Sequence, residues 1–213
     1  MGSLYRVDSS IQGATSVTRE IIDEFERGWT EAGGGSVLTR DLVQTPVTPA
    51  AWEHALRGRE GRPPTAEQAE ALALVTDLAD EMVAADVIVV GAPLYNWGPS
   101  PHVNCWINLL WTDPRFAPRS YPLRGKPIVL VTARGGDGTA GSARDGWDNS
   151  APYVQHTFGP DVFGGDVTVI ETPLTLADRV PQMADQSDRA ARIRSRSRDL
   201  ARSRGAELVA IGA

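Results

Sequence analysis

Two stretches of the chain, DVIVV at 86–90 and PIVLV at 127–131, each hold four apolar residues in succession with no polar residue between them. A strand with one face in water alternates apolar and polar side chains. An unbroken run fits a strand covered on both faces, as in parallel sheets sandwiched between helices. Parallel neighbours need long helical crossovers, and the rest of the chain supplies them. LYRV (4–7), SVLTRDL (36–42) and DVTVIET (166–172) read as three further strands. Residues 15–32 place Val17, Ile21, Ile22, Phe25 and Trp29 at helical spacing and stop at Gly33-Gly34-Gly35. PTAEQAEALALVTDLADEMVAAD (64–86) and SPHVNCWINLLW (100–111) read as two more helices, whereas residues 43–63 read as a polar connection outside the core. Alternation of strand and helix predicts a doubly wound α/β fold in one domain of 213 residues.

The formal net charge of −6 excludes a general nucleic-acid binder, which needs an excess of Lys and Arg on one face. No run approaches the ~20 apolar residues that span a bilayer. The first residues, MGSLYRVDSS, lack the basic flank and apolar core of a signal peptide, so a cytoplasmic, membrane-free protein is expected. Cys105 is the single cysteine, and His54, His102 and His156 show no metal-ligand spacing, so no metal site is expected. Cys105 reads as a small buried hydrophobe, and His102 and His156 as structural residues or proton donors.

In doubly wound sheets ligands sit at the carboxyl ends of the strands, so the segments after strands one, three and four are the places to look. The first, DSSIQGATSVTRE, offers hydroxyls at Ser9, Ser10, Thr15, Ser16 and Thr18 and then opens a helix. It is either a phosphate cradle at a helix amino terminus or a helix cap made by Ser16. The second, GAPLYNWGPS, places Leu94, Tyr95, Asn96 and Trp97 between Pro93 and Gly98-Pro99. These side chains either cover and hydrogen-bond a flat heteroaromatic ring or simply cap the end of the core. The third, TARGGDGTAG, contains Gly136-x-Gly138-x-x-Gly141, formally a dinucleotide fingerprint. The polar, turn-rich SARDGWDNSAP follows where that fingerprint requires an apolar-faced helix, so the assignment fails. Gly135-Gly136 instead permits close approach of backbone to a ligand. Convergence of these three loops describes a flavin mononucleotide site.

With SSI at 9–11, SVT at 16–18, EALAL at 70–74, DVIVVGAPLYNW at 86–97 and TARGG at 132–136, the chain resembles the FMN-dependent NADH-azoreductases and NAD(P)H:quinone oxidoreductases of flavodoxin-like fold. The resemblance covers most of the chain to about residue 200 and implies a five-stranded sheet in the order 2-1-3-4-5, with residues 205–213 as a carboxyl-terminal extension. It implies that Ser10, Ser16, Val17 and Thr18 hold the FMN phosphate. Pro93, Leu94, Tyr95, Asn96 and Trp97 would line the flavin, and Ala133, Arg134, Gly135 and Gly136 would meet its polar edge. It further implies a homodimer with the active site at the subunit interface, with Arg57, Phe116 and Tyr121 as acceptor contacts. The chemistry implied is ping-pong transfer from NADH or NADPH through FMN to a quinone, azo or similar aromatic acceptor, in detoxification or in a biosynthetic pathway, with no catalytic side chain required. A flavodoxin-like electron carrier serving a protein partner, or a scaffold that has lost FMN, are the competing readings. Leu94 and Trp97 stand where the family usually has Met and Phe, which narrows the cavity.

Two features stay open on the residues alone. Arg134 either adds positive charge to the ring site or pairs with Asp137. The seven arginines from Arg189 to Arg204 form either a solvated helix face or a basic patch for an anionic partner.

Overall fold

The computed structural model describes residues 2–210. Five parallel strands, β1 (Leu4–Asp8), β2 (Val37–Asp41), β3 (Val87–Gly91), β4 (Pro127–Ala133) and β5 (Asp166–Thr172), form one sheet in the order β2-β1-β3-β4-β5. In the central register Val7 stands opposite Arg40 on one side and Val90 on the other. Every residue of β3 is buried, which explains its unbroken apolar run.

Alternate strand residues face two separate cores. Leu4, Val87, Val89, Val129 and Val131 pack against α1 (Val17–Glu31) and α6 (Ser187–Val209). On the other face Tyr5, Val7, Ile88, Val90 and Leu130 pack against α3 (Ala66–Ala84), α4 (Pro101–Leu110) and α5 (Ala151–Phe158). The helix caps follow the sequence. Ser16, Thr65 and Ser100 each accept a backbone N–H of the first turn, and at α3 Gln68 completes a capping box with Thr65.

Three expectations need correction. Residues 43–63 are not a plain connection: α2 (Pro49–Gly58) lies within them and packs on α3, with Val47 and Ala55 buried. Thr48 caps it, its Oγ1 accepting the Ala51 N–H at 3.1 Å. Only ten residues long and set among Pro46, Pro49, Pro63 and Pro64, this helix reads as part of a turn-rich connection, although Ala51, Trp52, Ala55 and Leu56 do fall at helical spacing.

The arginine-rich segment is not merely a solvated face. Arg194 and Arg198 both pair with Glu20, and Arg202 pairs with Glu31, clamping α6 onto α1. The tail drawn from residue 205 is, through Val209, the last turns of α6, with Gly205 and Leu208 buried against α1; residues 211–213 lie outside the described residues.

No helix among the described residues is long and apolar enough to cross a membrane.

Candidate active site

Because all strands run in one direction, the segments after β1, β3, β4 and β5 emerge on one edge. The first is fixed from below. Asp8, buried at the end of β1, lies 2.8 Å from Arg6 Nε and 3.4 Å from Arg19 Nη1, and Arg19 also reaches Asp41 at 2.9 Å. These arginines neutralise a carboxylate that would otherwise repel an anion above it. Arg19 Nη2 donates to the Ser10 carbonyl at 3.3 Å, and Ser9 Oγ donates to the Gly91 carbonyl at 2.6 Å. The backbone of this loop is therefore anchored to its neighbours, while Ser16 caps α1 and shares a hydrogen bond with Thr18 at 2.9 Å. The first-turn amides of α1 have no intrahelical partners and carry the positive end of the helix dipole.

The loop after β3 is a tight hairpin. Tyr95 and Gly98 exchange backbone hydrogen bonds at 3.1 and 3.0 Å, leaving Asn96 (φ 49°) and Trp97 (φ 66°) as two successive left-handed residues, the pattern of a type I′ turn. Asparagine tolerates this conformation, but for an indole it is strained, by about 1–2 kcal/mol. The turn throws both side chains outward, and both are exposed. The Tyr95 hydroxyl accepts the Ile11 N–H and shares a hydrogen bond with Ser10 Oγ, each at 3.2 Å, lacing this loop to the first.

The loop after β4 pairs with the one after β5. Thr175, Leu176 and Leu174 donate to the carbonyls of Arg134, Gly135 and Gly136. Arg134, nine-tenths buried, does not pair with Asp137. Its Nη1 lies 3.3 Å from Asp148 and its Nη2 3.2 Å from Glu171, while Nε has no partner. Asp137 instead accepts the Thr139 hydroxyl at 2.7 Å and its N–H at 3.0 Å and pairs with Arg189 at 2.6 Å; Thr139 first and Arg189 after it hold its carboxyl down to about 2. Residues 136–149 form turns rather than a helix, in keeping with rejection of the dinucleotide fingerprint.

These loops enclose two adjoining cavities. One, about 240 Å³, is bounded by Ser10, Ser16, Val17 and Thr18 on one side, by Pro93, Leu94 and Tyr95 on another, and by Ala133, Arg134 and Gly135 on a third. The other, about 210 Å³, shares Leu94, Arg134 and Gly135 and adds Asn96, Trp97 and Gly136. The first holds hydroxyls, amides and two arginines but no carboxylate, a donor set suited to a phosphate. The second sets the Trp97 indole, Leu94 and glycine backbone beside Arg134, Arg144, Asp137 and Asp148, flat surfaces suited to a ring with a charged margin. A wider opening beside α1, about 540 Å³, is lined mainly by arginines and carboxylates already engaged with one another.

Arg57, Phe116 and Tyr121 border neither cavity. Arg57 is exposed on α2 and pairs with Glu53. Phe116 is fully buried edge-on to Phe163, so its ring is closed to any ligand. Tyr121 lies beside Arg124, shortly before β4, at the amino-terminal edge of the sheet. Sequence reasoning missed Thr175, Leu176, Arg179 and Gln12 at the first cavity, and Asp137, Gly138, Arg144 and Asp148 at the second. The carboxyl-edge rule applied to β5 would have found the first three.

The sequence profile of the family described as having a flavodoxin-like fold matches residues 3–192. The chain is 39% identical over 198 residues to an FMN-dependent NADH:quinone oxidoreductase of Kineococcus radiotolerans, covering 90% of this chain and 92% of that protein. It is 33% identical over 211 residues to a protein of the same name from Frankia casuarinae, covering 96% and 99%. Among solved structures, an azoreductase from Bacillus anthracis superposes with a TM-score of 0.77 at 20% identity, covering 97% of this chain and all of that one. An FMN-dependent NADH-azoreductase from Bacillus anthracis, solved in complex with FMN, gives 0.71 at 14% identity, covering 93% and 99%. These two share the fold. With a profile that spans most of its length and relatives above 30% identity along almost all of it, the chain belongs to the FMN-dependent NADH:quinone oxidoreductase family of flavodoxin-like proteins.

Proposed function

We propose that this protein is an FMN-dependent oxidoreductase that moves electrons from NADH to a quinone, azo or related conjugated acceptor in two half-reactions at one site. The observation that supports it most is the paired cavity. A compartment free of carboxylates at the start of α1 runs into one walled by Trp97, Asn96 and the glycine backbone after β4. A Cβ placed on Gly135 would lie 2.5 Å from Leu176 Cδ1, and one on Gly136 2.7 Å from Arg144 Nη1, so a side chain at either position would displace a neighbour and thicken this wall. Polarity and shape both fit FMN.

Ser10, Ser16 and Thr18 would hold the phosphate with the first-turn amides of α1, and Arg179, at the rim of the same cavity, would add positive charge. Leu94 and the Asn96-Trp97 turn would bound the ring. The backbone of Gly135 and Gly136 would meet its polar edge, where each well-placed N–H donor contributes a factor of ~10²–10³ in rate. When bound, FMN accepts a hydride from NADH and afterwards yields two electrons to the acceptor. Arg134 is a positioning residue: Asp148 and Glu171 fix its guanidinium, and its carbonyl ties the β4 loop to Thr175.

The whole chain is taken as one domain. Trp52 and Leu56, left exposed on α2, are apolar surface of the kind a second copy would cover, which supports a homodimer.

The test is the visible spectrum of purified protein, followed by anaerobic addition of NADH. Yellow protein that bleaches within the mixing time and regains colour when a quinone is added is the expected result. Yellow protein indifferent to NADH would support an electron carrier instead, and protein that stays colourless in excess FMN would overturn the assignment.

A further inference from the structure

The ring-end cavity has one wall that the oxidoreductase reading leaves unused: residues 137–149, folded over its mouth. This segment is well anchored. Asn149 donates to the Trp97 carbonyl through its backbone N–H at 3.1 Å and its side-chain amide at 3.0 Å. Asp137 is held by Arg189, and Asp148 by Arg134 and the N–H groups of Ser150 and Ala151. Arg144 differs from these, making no ion pair among the described residues. Its guanidinium carbon lies 5.4 Å from the centre of the Trp97 ring, and its Nη1 lies over Gly136. Trp147 meets Trp97 edge-on at 5.1 Å and 77°. The two indoles are 42% and 51% exposed, far more than apolar side chains of this size usually are.

An unpaired guanidinium resting on an indole keeps its planar donor fork open to a carboxylate or sulfonate. The exposed indoles beside it offer a stacking surface for a flat conjugated ring. The charge of the whole protein matters here. At −6 the overall field repels anions, and Asp137 and Asp148 line the same cavity, each paired with an arginine, so Arg144 is the cation left to admit an anionic acceptor.

Resting on the function proposed above, we propose that Trp97, Arg144 and Trp147 form an acceptor subsite that selects planar conjugated acceptors carrying a carboxylate or sulfonate. The indoles bind the ring, and Arg144 binds the anionic substituent.

The test compares FMN-loaded wild type with Arg144→Gln, using 1,4-naphthoquinone-2-sulfonate and uncharged 1,4-naphthoquinone with NADH. Taking the variant-to-wild-type ratio for each acceptor cancels their different intrinsic reactivity. Because Arg144 also borders the ring cavity, each protein is assayed at FMN saturating for that protein. The expected result is a fall in kcat/KM for the sulfonate that exceeds any fall for the uncharged quinone by ~10-fold or more, the size of one charge-assisted contact. Arg144→Lys, which keeps the charge but loses the planar fork, should fall between the two. Indole fluorescence titration with the sulfonate, without NADH, gives a binding readout; its Kd should rise in Arg144→Gln and lose its salt dependence. Equal losses for both acceptors, or a raised KM for NADH with the sulfonate unaffected, would overturn the proposal. If neither acceptor is reduced even by wild type, the oxidoreductase reading fails, and the fluorescence arm decides the subsite alone. Sulfonate binding that needs Arg144 supports it, and binding indifferent to Arg144 overturns it.

Discussion

Gly136→Val is expected to weaken FMN binding by ~10–100-fold, the equivalent of about 1–3 kcal/mol for forcing side-chain atoms into a fitted space. Its effect on folding should stay below about 1 kcal/mol, the usual range for a substitution away from the core. The two effects separate because of what surrounds the residue. Its backbone is not left-handed, and the nearest atom to an added Cβ, 2.7 Å away, is the end of the exposed Arg144 side chain, which can swing aside. The ring cavity has no such freedom: two methyl groups would enter a space of about 210 Å³ bounded by Leu94 and Trp97. Asn96→Ala is a less clean probe, since Asn96 sits at φ 49° and alanine there would strain the turn itself. Flavin fluorescence titration and urea unfolding on the same preparation measure both quantities. Parallel loss of affinity and stability would place Gly136 in the scaffold instead of the site.

The second large effect is on the opposite layer. Gly205→Val should destabilise the protein by about 3 kcal/mol or more, as overpacking against rigid neighbours does. A Cβ at Gly205 would land on the Phe25 carbonyl of α1, and one at Gly28 on the Arg202 carbonyl of α6, so the two helices cross with backbone against backbone at both points. Carbonyls within a helix cannot rotate aside. Relief requires α6 to lift from α1, uncovering Phe25, Trp29 and Leu208, which are fully buried between the helices and the sheet. The chevron and equilibrium urea curves of the variant report this directly. A shift below about 1 kcal/mol would mean that the crossing is looser than the structure shows.

Gly205 also marks a limit of what the sequence reveals. A glycine among arginines, in a segment of low apolar content, gives no sign of its packing partner, because that partner is the main chain of a helix 180 residues earlier in the sequence. The ion pairs of Arg194 and Arg198 with Glu20 are hidden for the same reason. Two strands, by contrast, were legible because burial on both faces excludes polar residues from β3 and from 127–131 of β4 and leaves a signal in consecutive positions. Helix α2 fell between these cases: its apolar positions recur at helical spacing, but over only ten residues set among prolines.

At the site, the loops themselves were legible from chemistry that is local in sequence: hydroxyls before a helix, a Tyr-Asn-Trp turn between prolines, a glycine pair after a strand. What joins them was not. Arg134 is tied to Asp148 and Glu171, 14 and 37 residues away, and Tyr95 to Ser10 across 85 residues. Of the two readings open for Arg134, pairing with the nearby Asp137 fails, since Asp137 is engaged by Arg189. Phe116 shows the converse error, in which family likeness suggested a ligand contact and burial against Phe163 removed it.

The central claim is that the segments following β1, β3 and β4 grip a single FMN. A crystal structure of the protein grown with FMN tests it most directly. The account predicts phosphate density among Ser10, Ser16 and Thr18 at the start of α1, with the ring beside Trp97 and the Gly135-Gly136 backbone. Density for FMN elsewhere on the molecule, or an empty groove at saturating FMN, would contradict it.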